Sequence, residues 1–215
     1  MLFRSFHAIY GDPEGGLDPE GLAACAANAD GIEALSRERV GAEMAKLLAA
    51  RDPAPAVAAM AAAGVLARVL PGADPRALAP LVHFEAGIAP RWQRRLAVLG
   101  GQDVAQRWRL ARKDAAALDA VRGEIGSARP PAELGYRFGL ALAVDMVLAR
   151  AAVLAVPPPI GWSSDIARGA AAEFPLAAAD LMPALHGPAL GARLKALESR
   201  WISSGFSLSR AQLLA

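Results

Sequence analysis

Arginine and lysine side chains cluster in the middle of the sequence at spacings that suit phosphate binding. Residues 91–113 contain seven cations and one carboxylate, Asp103. Guanidinium groups bind phosphate through paired hydrogen bonds, so cations at i, i+3 and i+4 of a helix can hold a phosphate backbone. We expect two such outward rows, with Trp92 and Trp108 facing inward. The rows are Arg91, Arg94 and Arg95, then Arg109, Arg112 and Lys113, and Arg107 completes the seven.

Such rows would position a phosphate backbone without reading its base sequence. The same residue pattern also fits an ordinary solvated basic face, or a face that meets an acidic protein partner. The net charge of +2 does not choose between these, because the basic middle is balanced by an acidic first fifty residues. Phosphate binding, a solvated face and an acidic partner therefore all stay open at this point.

Residues that could form a catalytic or metal centre are sparse. The histidines His7, His83 and His186 lack a second histidine or a cysteine at ligand spacing. His83 has Glu85 two residues away, but residues two apart on a helix point to different faces. Gly126-Ser127 could form a phosphate-holding turn, yet the sequence contains no Asp-x-Asp pair to hold Mg²⁺ beside it. The sequence thus predicts no catalytic residue and no metal site in this chain.

Helical patterns separated by proline and glycine predict the elements that carry these residues. Alanine and leucine dominate, aromatic residues make up 6%, and β-branched residues do not form runs. We expect an all-α fold, an irregular multi-helix array or bundle, with Ser36 capping a helix whose buried stripe includes Val40 and Met44. Further predicted helices span 17–28, about 54–63, 75–85, 90–100, 102–125, 131–155, 163–173 and 190–202.

The most apolar stretch, 138–156, contains Asp145 and Arg150. Charges near the middle of a bilayer are costly, so this stretch favours a buried core helix over a membrane span. The first residues lack the apolar segment of a signal peptide. A cytoplasmic protein without a membrane partner is the expectation.

Two segments resemble a known family. SRERVGAEMAKLL, residues 36–48, is similar to a helical motif in the neck of bacterial CCA-adding tRNA nucleotidyltransferases of the poly(A) polymerase type. The Gly-Pro-x-x-Gly-x-x-Leu-x-x-Leu pattern at 187–197 resembles the C-terminal segment of that family. The resemblance extends over nearly the whole chain, with the similar segments in the same order as in the family. The sequence is most similar to the alphaproteobacterial branch.

The resemblance implies a division into a neck-like region at 1–70, a body with the basic face at 71–156, and a tail-like region at 157–215. The family's catalytic head, with its Asp-x-Asp pair, has no counterpart in this sequence, which looks like a truncated gene or a fragment. The chain would then be inactive alone, and Mg²⁺ and CTP or ATP are expected only with the head. Body and tail would bind the acceptor and TΨC arms of tRNA during 3′-end processing. The residues implicated are the seven cations above and Arg193 for RNA, and Arg39, Glu43 and Lys46 for stabilising the neck.

Two alternatives remain beside this tRNA-binding module. The chain could complete an active nucleotidyltransferase with a separately encoded head, or it could be a helical protein–protein interaction module. CCA addition and poly(A) tailing are not separated, because the nucleotide-reading residues of the family are absent from the sequence.

Overall fold

The structure is a computed structural model that describes residues 36–182 and 184–215. These residues form eleven α-helices, two 3-10 turns and connecting loops, and contain no strand beyond one isolated antiparallel bridge between Ala73 and Gly100. The all-α prediction is confirmed. The predicted helix over 17–28, together with His7, lies outside the described residues. Along the described part of the chain, no helix has the length and apolar character needed to cross a membrane.

The chain divides into two compact units, each treated separately below. The described residues 36–127 and 145–159 belong to the first unit, and 128–144, 160–182 and 184–215 belong to the second. The three-part division at residues 70 and 156 stays a prediction. In the first unit the helices are α1 (Arg37–Ala49), α2 (Ala54–Ala62), α3 (Val65–Val69), α4 (Leu78–Phe84), α5 (Trp92–Leu99), α6 (Val104–Arg107) and α7 (Arg112–Ile125), with a 3-10 turn at Pro75–Ala77.

Two helix starts in the first unit have a side-chain oxygen that accepts a backbone amide, and the first of them, Ser36, is the predicted cap. The Ser36 hydroxyl accepts a hydrogen bond from the Arg39 amide at 3.3 Å, as an N-cap does. The Asp52 carboxylate accepts one from the Ala54 amide at 3.0 Å, where α2 begins. The predicted stripe of α1 is confirmed, since Val40, Met44, Leu47 and Leu48 are all buried.

The predicted single helix over 102–125 is wrong. The chain leaves helical geometry after α6, where the Leu110 amide bonds to the Ala105 carbonyl at 2.9 Å and Arg109 has φ 47°. A hydrogen bond from an amide back to the carbonyl five residues earlier, with a left-handed residue just before that amide, is the Schellman ending of a helix. A second helix, α7, then starts at Arg112, so Arg109 and Arg112 do not share one helix.

Helix α8 (Pro131–Leu154) corresponds to the predicted apolar helix but is not continuous. Gly139 has φ 75° and ψ 170°, which interrupts it. Its residues up to 144 belong to the second unit, and those from 145 belong to the first.

The second unit is built around one aromatic cluster. Its remaining helices are α9 (Trp162–Ala170), α10 (Gly187–Ser203) and α11 (Arg210–Leu214), with a 3-10 turn at Ala178–Leu181. The Trp201 ring lies 4.9 Å from the Phe206 ring and 5.5 Å from those of Tyr136 and Phe174, centroid to centroid. The Tyr136 hydroxyl donates to Glu198 at 2.6 Å, and burial with this contact raises the pKa of Tyr136 to about 12.

Candidate nucleic-acid interface

The first predicted row of cations does not face solvent. Arg94 is 0% exposed and Arg95 is 2% exposed, while Arg91 is half-buried. The expectation that α5 presents an outward row is therefore wrong for Arg94 and Arg95. Trp92, expected to point inward, is only half-buried.

Two carboxylates explain why Arg94 can be buried. Its Nε donates to Glu85 Oε1 at 2.6 Å and its Nη1 donates to Asp145 Oδ1 at 2.9 Å. Its Nη2 also donates to the Ala89 carbonyl at 2.9 Å. Glu85 and Asp145 are themselves buried, so the charges compensate one another inside the first unit, as buried ions require. We call Glu85, Arg94, Arg95 and Asp145 the buried ion cluster.

Arg95 has a second task besides pairing with Glu85. Its Nη1 donates to the Leu48 carbonyl at 2.7 Å and also to the Ala50 carbonyl, and its Nη2 donates to the Arg51 carbonyl at 3.1 Å. The last carbonyls of a helix have no partner within the helix. Arg95 therefore caps the C-terminal end of α1.

Burial disfavours the charged form of Asp145 within the buried ion cluster. Desolvation by burial raises the pKa of Asp145, against the lowering effect of Arg94 and Arg91. Its Oδ2 lies 3.3 Å from Arg91 Nη1 and accepts no hydrogen bond from a described residue. Burial thus outweighs the attraction of the two guanidinium groups at this carboxylate.

The later cations of the predicted set do face solvent. Arg107, Arg109, Arg112 and Lys113 are all exposed, and they lie within seven residues where α6 ends and α7 begins. We call these four the cationic loop surface. Among the described residues, Arg109 alone of the four has an ion-pair partner, Glu38. Four exposed cations so close together can bind an extended polyanion, although they do not form one helical row.

Trp108 fixes the cationic loop surface to the rest of the first unit. It is 3% exposed, as expected, and its indole Nε1 donates to the Val69 carbonyl at 3.0 Å. Gly41 of α1 lies directly against it, so that a Cβ added at Gly41 would be 2.7 Å from the Trp108 Cβ. The loop is therefore held against α1 and α3 through Trp108. The helix that follows the loop, α7, is in turn joined to α5, because Gln93 donates to Asp114 at 2.9 Å.

The first turn of α1 adds a cation that the sequence did not single out. Arg37 and Glu38 precede Gly41 by four and three residues, which puts them on the face of α1 that meets Trp108. Arg37 is exposed beside the Glu38–Arg109 ion pair. A hydrogen bond with its own backbone amide, and then the Arg109 charge, hold the pKa of Glu38 below its usual range.

The residues expected to stabilise the neck lie elsewhere on α1. Lys46 pairs with Glu43 at 2.9 Å, whereas Arg39 is exposed and makes no ion pair with a described residue. Their role in stabilising the neck stays a prediction. In the second unit, Arg193 is exposed on α10. Within the described part of the chain, no group of three or more His, Cys, Asp or Glu side chains is arranged to hold a metal ion.

The described residues thus define an all-helical protein with an exposed cationic surface suited to polyanions. Residues 16–76 match a family model described as the probable RNA and SrmB-binding site of polymerase A. The match covers 61 of the 215 residues and includes α1, α2 and α3. No curated protein matches the chain.

Proposed function

We propose that this chain binds RNA through the cationic loop surface and Arg37. The observation that carries the proposal is the Glu38–Arg109 contact, which joins the segment matching an RNA-binding family model to the exposed cations at 107–113. Phosphate contacts dominate the affinity of such surfaces and leave base identity unread.

We further propose that the RNA is the acceptor and TΨC arm of tRNA, bound during 3′-end processing by a CCA-adding nucleotidyltransferase. The resemblance of residues 36–48 and 187–197 to that family supports this choice. The chemistry would belong to a catalytic head, which binds Mg²⁺ and CTP or ATP, and this chain would supply RNA binding. Arg193 of α10 is the residue proposed for the tail contact.

Fluorescence anisotropy with labelled tRNA tests RNA binding. Replacing Arg107, Arg112 and Lys113 together with Gln should weaken binding and flatten its dependence on salt, because each lost phosphate contact lowers the slope of log K against log salt by about 0.7–0.9. The matched control replaces Arg168, Lys195 and Arg200 with Gln, which removes the same charge from exposed positions outside both the cationic loop surface and the segment 16–76. Equal weakening in both variants, or no tRNA binding by the native chain, would contradict the proposal.

Two further measurements test the finer proposal. Competition with an unrelated double-stranded RNA and with DNA of equal length should displace tRNA poorly if the tRNA arm is recognised by shape as well as charge. The chain alone should not add nucleotides to tRNA lacking its CCA end when supplied with Mg²⁺, CTP and ATP. Nucleotide addition by the chain alone would refute the proposed division of labour. Binding of an acidic protein with no RNA affinity would instead favour an interaction module.

A further inference from the structure

Arg109 occupies a backbone position that favours glycine. It follows α6 with φ 47°, and its amide bonds to the Gln106 carbonyl at 3.4 Å while the next amide, of Leu110, bonds to Ala105. In this helix ending the left-handed residue is usually glycine, because a Cβ is strained there. The fold alone would therefore be better served by glycine at 109.

The side chain of Arg109 contributes little folding stability that would offset that strain. It is 65% exposed, and its partner Glu38 is 52% exposed. Exposed ion pairs contribute little to stability, since water and salt screen them. The guanidinium group is thus placed for something other than folding.

Phe206 and Ala155 also have a positive φ without being glycine, and they serve as comparisons for Arg109. Phe206 has φ 68°, and the packing of its ring on Trp201 accounts for its presence. Ala155 has φ 52° at the end of α8, with no charge and no ring. Strain alone therefore does not indicate function. Arg109 differs from Ala155 because its side chain lies on the cationic loop surface.

We propose that Arg109 is a phosphate-binding residue and that Glu38 is its internal competitor, which RNA must displace. This inference rests on the proposed RNA binding and adds a selection step to it. Without RNA, the Glu38 carboxylate occupies the guanidinium group. A single phosphate ion can displace Glu38 only through its own contact with Arg109. An RNA strand also contacts Arg107, Arg112 and Lys113, and several contacts made by one strand raise the effective concentration of each phosphate at its site. Glu38 thus makes the surface select extended polyanions over free phosphate and mononucleotides.

Thermal unfolding tests the strain. Arg109→Gly should raise Tm by about 2–4 °C, whereas Arg109→Gln, which removes the charge but keeps the Cβ, should leave Tm unchanged. Ala155→Gly is the matched control and should raise Tm similarly without changing RNA affinity. If Arg109→Gly is no more stable than Arg109→Gln, Arg109 is not at a glycine position and the inference fails.

Anisotropy with tRNA and with inorganic phosphate as competitor tests the displacement. Arg109→Gln and Arg109→Gly should each weaken tRNA binding about three- to tenfold and remove about one contact from the salt slope. Glu38→Gln should tighten tRNA binding about two- to fivefold and lower the phosphate concentration needed for competition.

The failures are distinguishable. If the Gln triple at 107, 112 and 113 weakens tRNA binding but the Arg109 variants or Glu38→Gln change nothing, this inference is overturned and the proposed function stands. If neither the triple nor the Arg109 variants weaken it, or the native chain binds no tRNA, both are overturned.

Discussion

At the scale of single residues, neighbouring arginines at the start of one short helix reach different environments. Arg91 is half-buried, while Arg94 and Arg95 form the buried ion cluster. The spacing of the three is the same as on a solvated face. Arg94 and Arg95 differ from Arg91 because both pair with the buried carboxylate of Glu85. Arg94 also pairs with Asp145, which lies far along the chain and reaches it only in the folded first unit.

Removing Arg94 should damage stability rather than a surface. Arg94→Ala leaves Asp145 and the Ala89 carbonyl without their main donor, and breaking a buried ion pair costs about 3–5 kcal/mol of unfolding free energy. Arg107→Ala, on the cationic loop surface, should change it by less than about 0.5 kcal/mol. Urea unfolding measures both. Similar values for the two variants would show that Arg94 is not paired in the interior.

Asp145 should make stability depend on pH in a specific direction. Because burial raises its pKa in the folded state above 3.8, the folded state holds the proton to higher pH than the unfolded state. Its contribution to the free energy of unfolding is therefore fully present below pH 3.8 and declines as pH rises through the raised pKa. In Asp145→Asn this decline should disappear.

The measurement is the difference in unfolding free energy between the native chain and Asp145→Asn, from pH 3.5 to 7. The unfolding free energy of the native chain should fall relative to that of the variant as pH rises. A difference that moves the other way would mean that the Arg94 and Arg91 charges outweigh burial at this carboxylate.

At the scale of elements, three arginines each cap the end of another helix. Arg95 caps α1, Arg122 donates to the Gly100 and Gly101 carbonyls after α5, and Arg150 donates to the Glu124 carbonyl in the last turn of α7. Cations are favourable at helix C-termini because the terminal carbonyls are unpaired and the helix dipole is negative there. Partial burial lowers the pKa of Arg122, against the raising effect of the Asp119 charge. A share of the basic charge in this sequence thus serves the first unit itself.

Arg95→Lys tests the cap while keeping the charge. A lysine ammonium group lacks the planar set of donors with which Arg95 binds Glu85 and three carbonyls. About 1–3 kcal/mol of stability should therefore be lost, because some of these buried acceptors would be left unpaired. Hydrogen exchange at the amides of residues 47–51 should speed up more than in α2. Arg51→Lys is the control, because the Arg51 side chain is exposed and only the backbone carbonyl of Arg51 takes part in the cap. Unchanged exchange at 47–51 would contradict the capping role.

At the scale of the whole molecule, the sequence predicts what depends on local pattern. The all-helical class, the Ser36 cap and the buried stripe of α1 follow from capping chemistry and period. The break after α6 was missed because Arg109 replaces the glycine that usually marks such an ending. The buried ion cluster was missed because Glu85 ends α4 while Arg94 and Arg95 lie on α5, and Asp145 lies far along the chain. The spacing of residues within one helix carries no information on such contacts.

The interruption of α8 was missed for another reason. Gly139 sits within a long apolar helical pattern, where a single glycine is usually tolerated. Its φ of 75° and ψ of 170° fall in a region open essentially to glycine alone. The interruption comes shortly before the chain passes from the second unit to the first at residue 145.

Gly139→Ala should destabilise the protein by about 1–3 kcal/mol, because alanine is strained in this conformation. Gly123→Ala is the control, since Gly123 lies inside α7 with open space around it and alanine there should stabilise by about 0.5–1 kcal/mol. Urea unfolding gives the free energies, and circular dichroism at 222 nm follows helix content. A Gly139→Ala chain with more helix and undiminished stability would show that α8 can run uninterrupted, since alanine favours helix more than glycine does. The opposing signs expected at the two glycines therefore separate a backbone requirement at 139 from the general preference of helices for alanine.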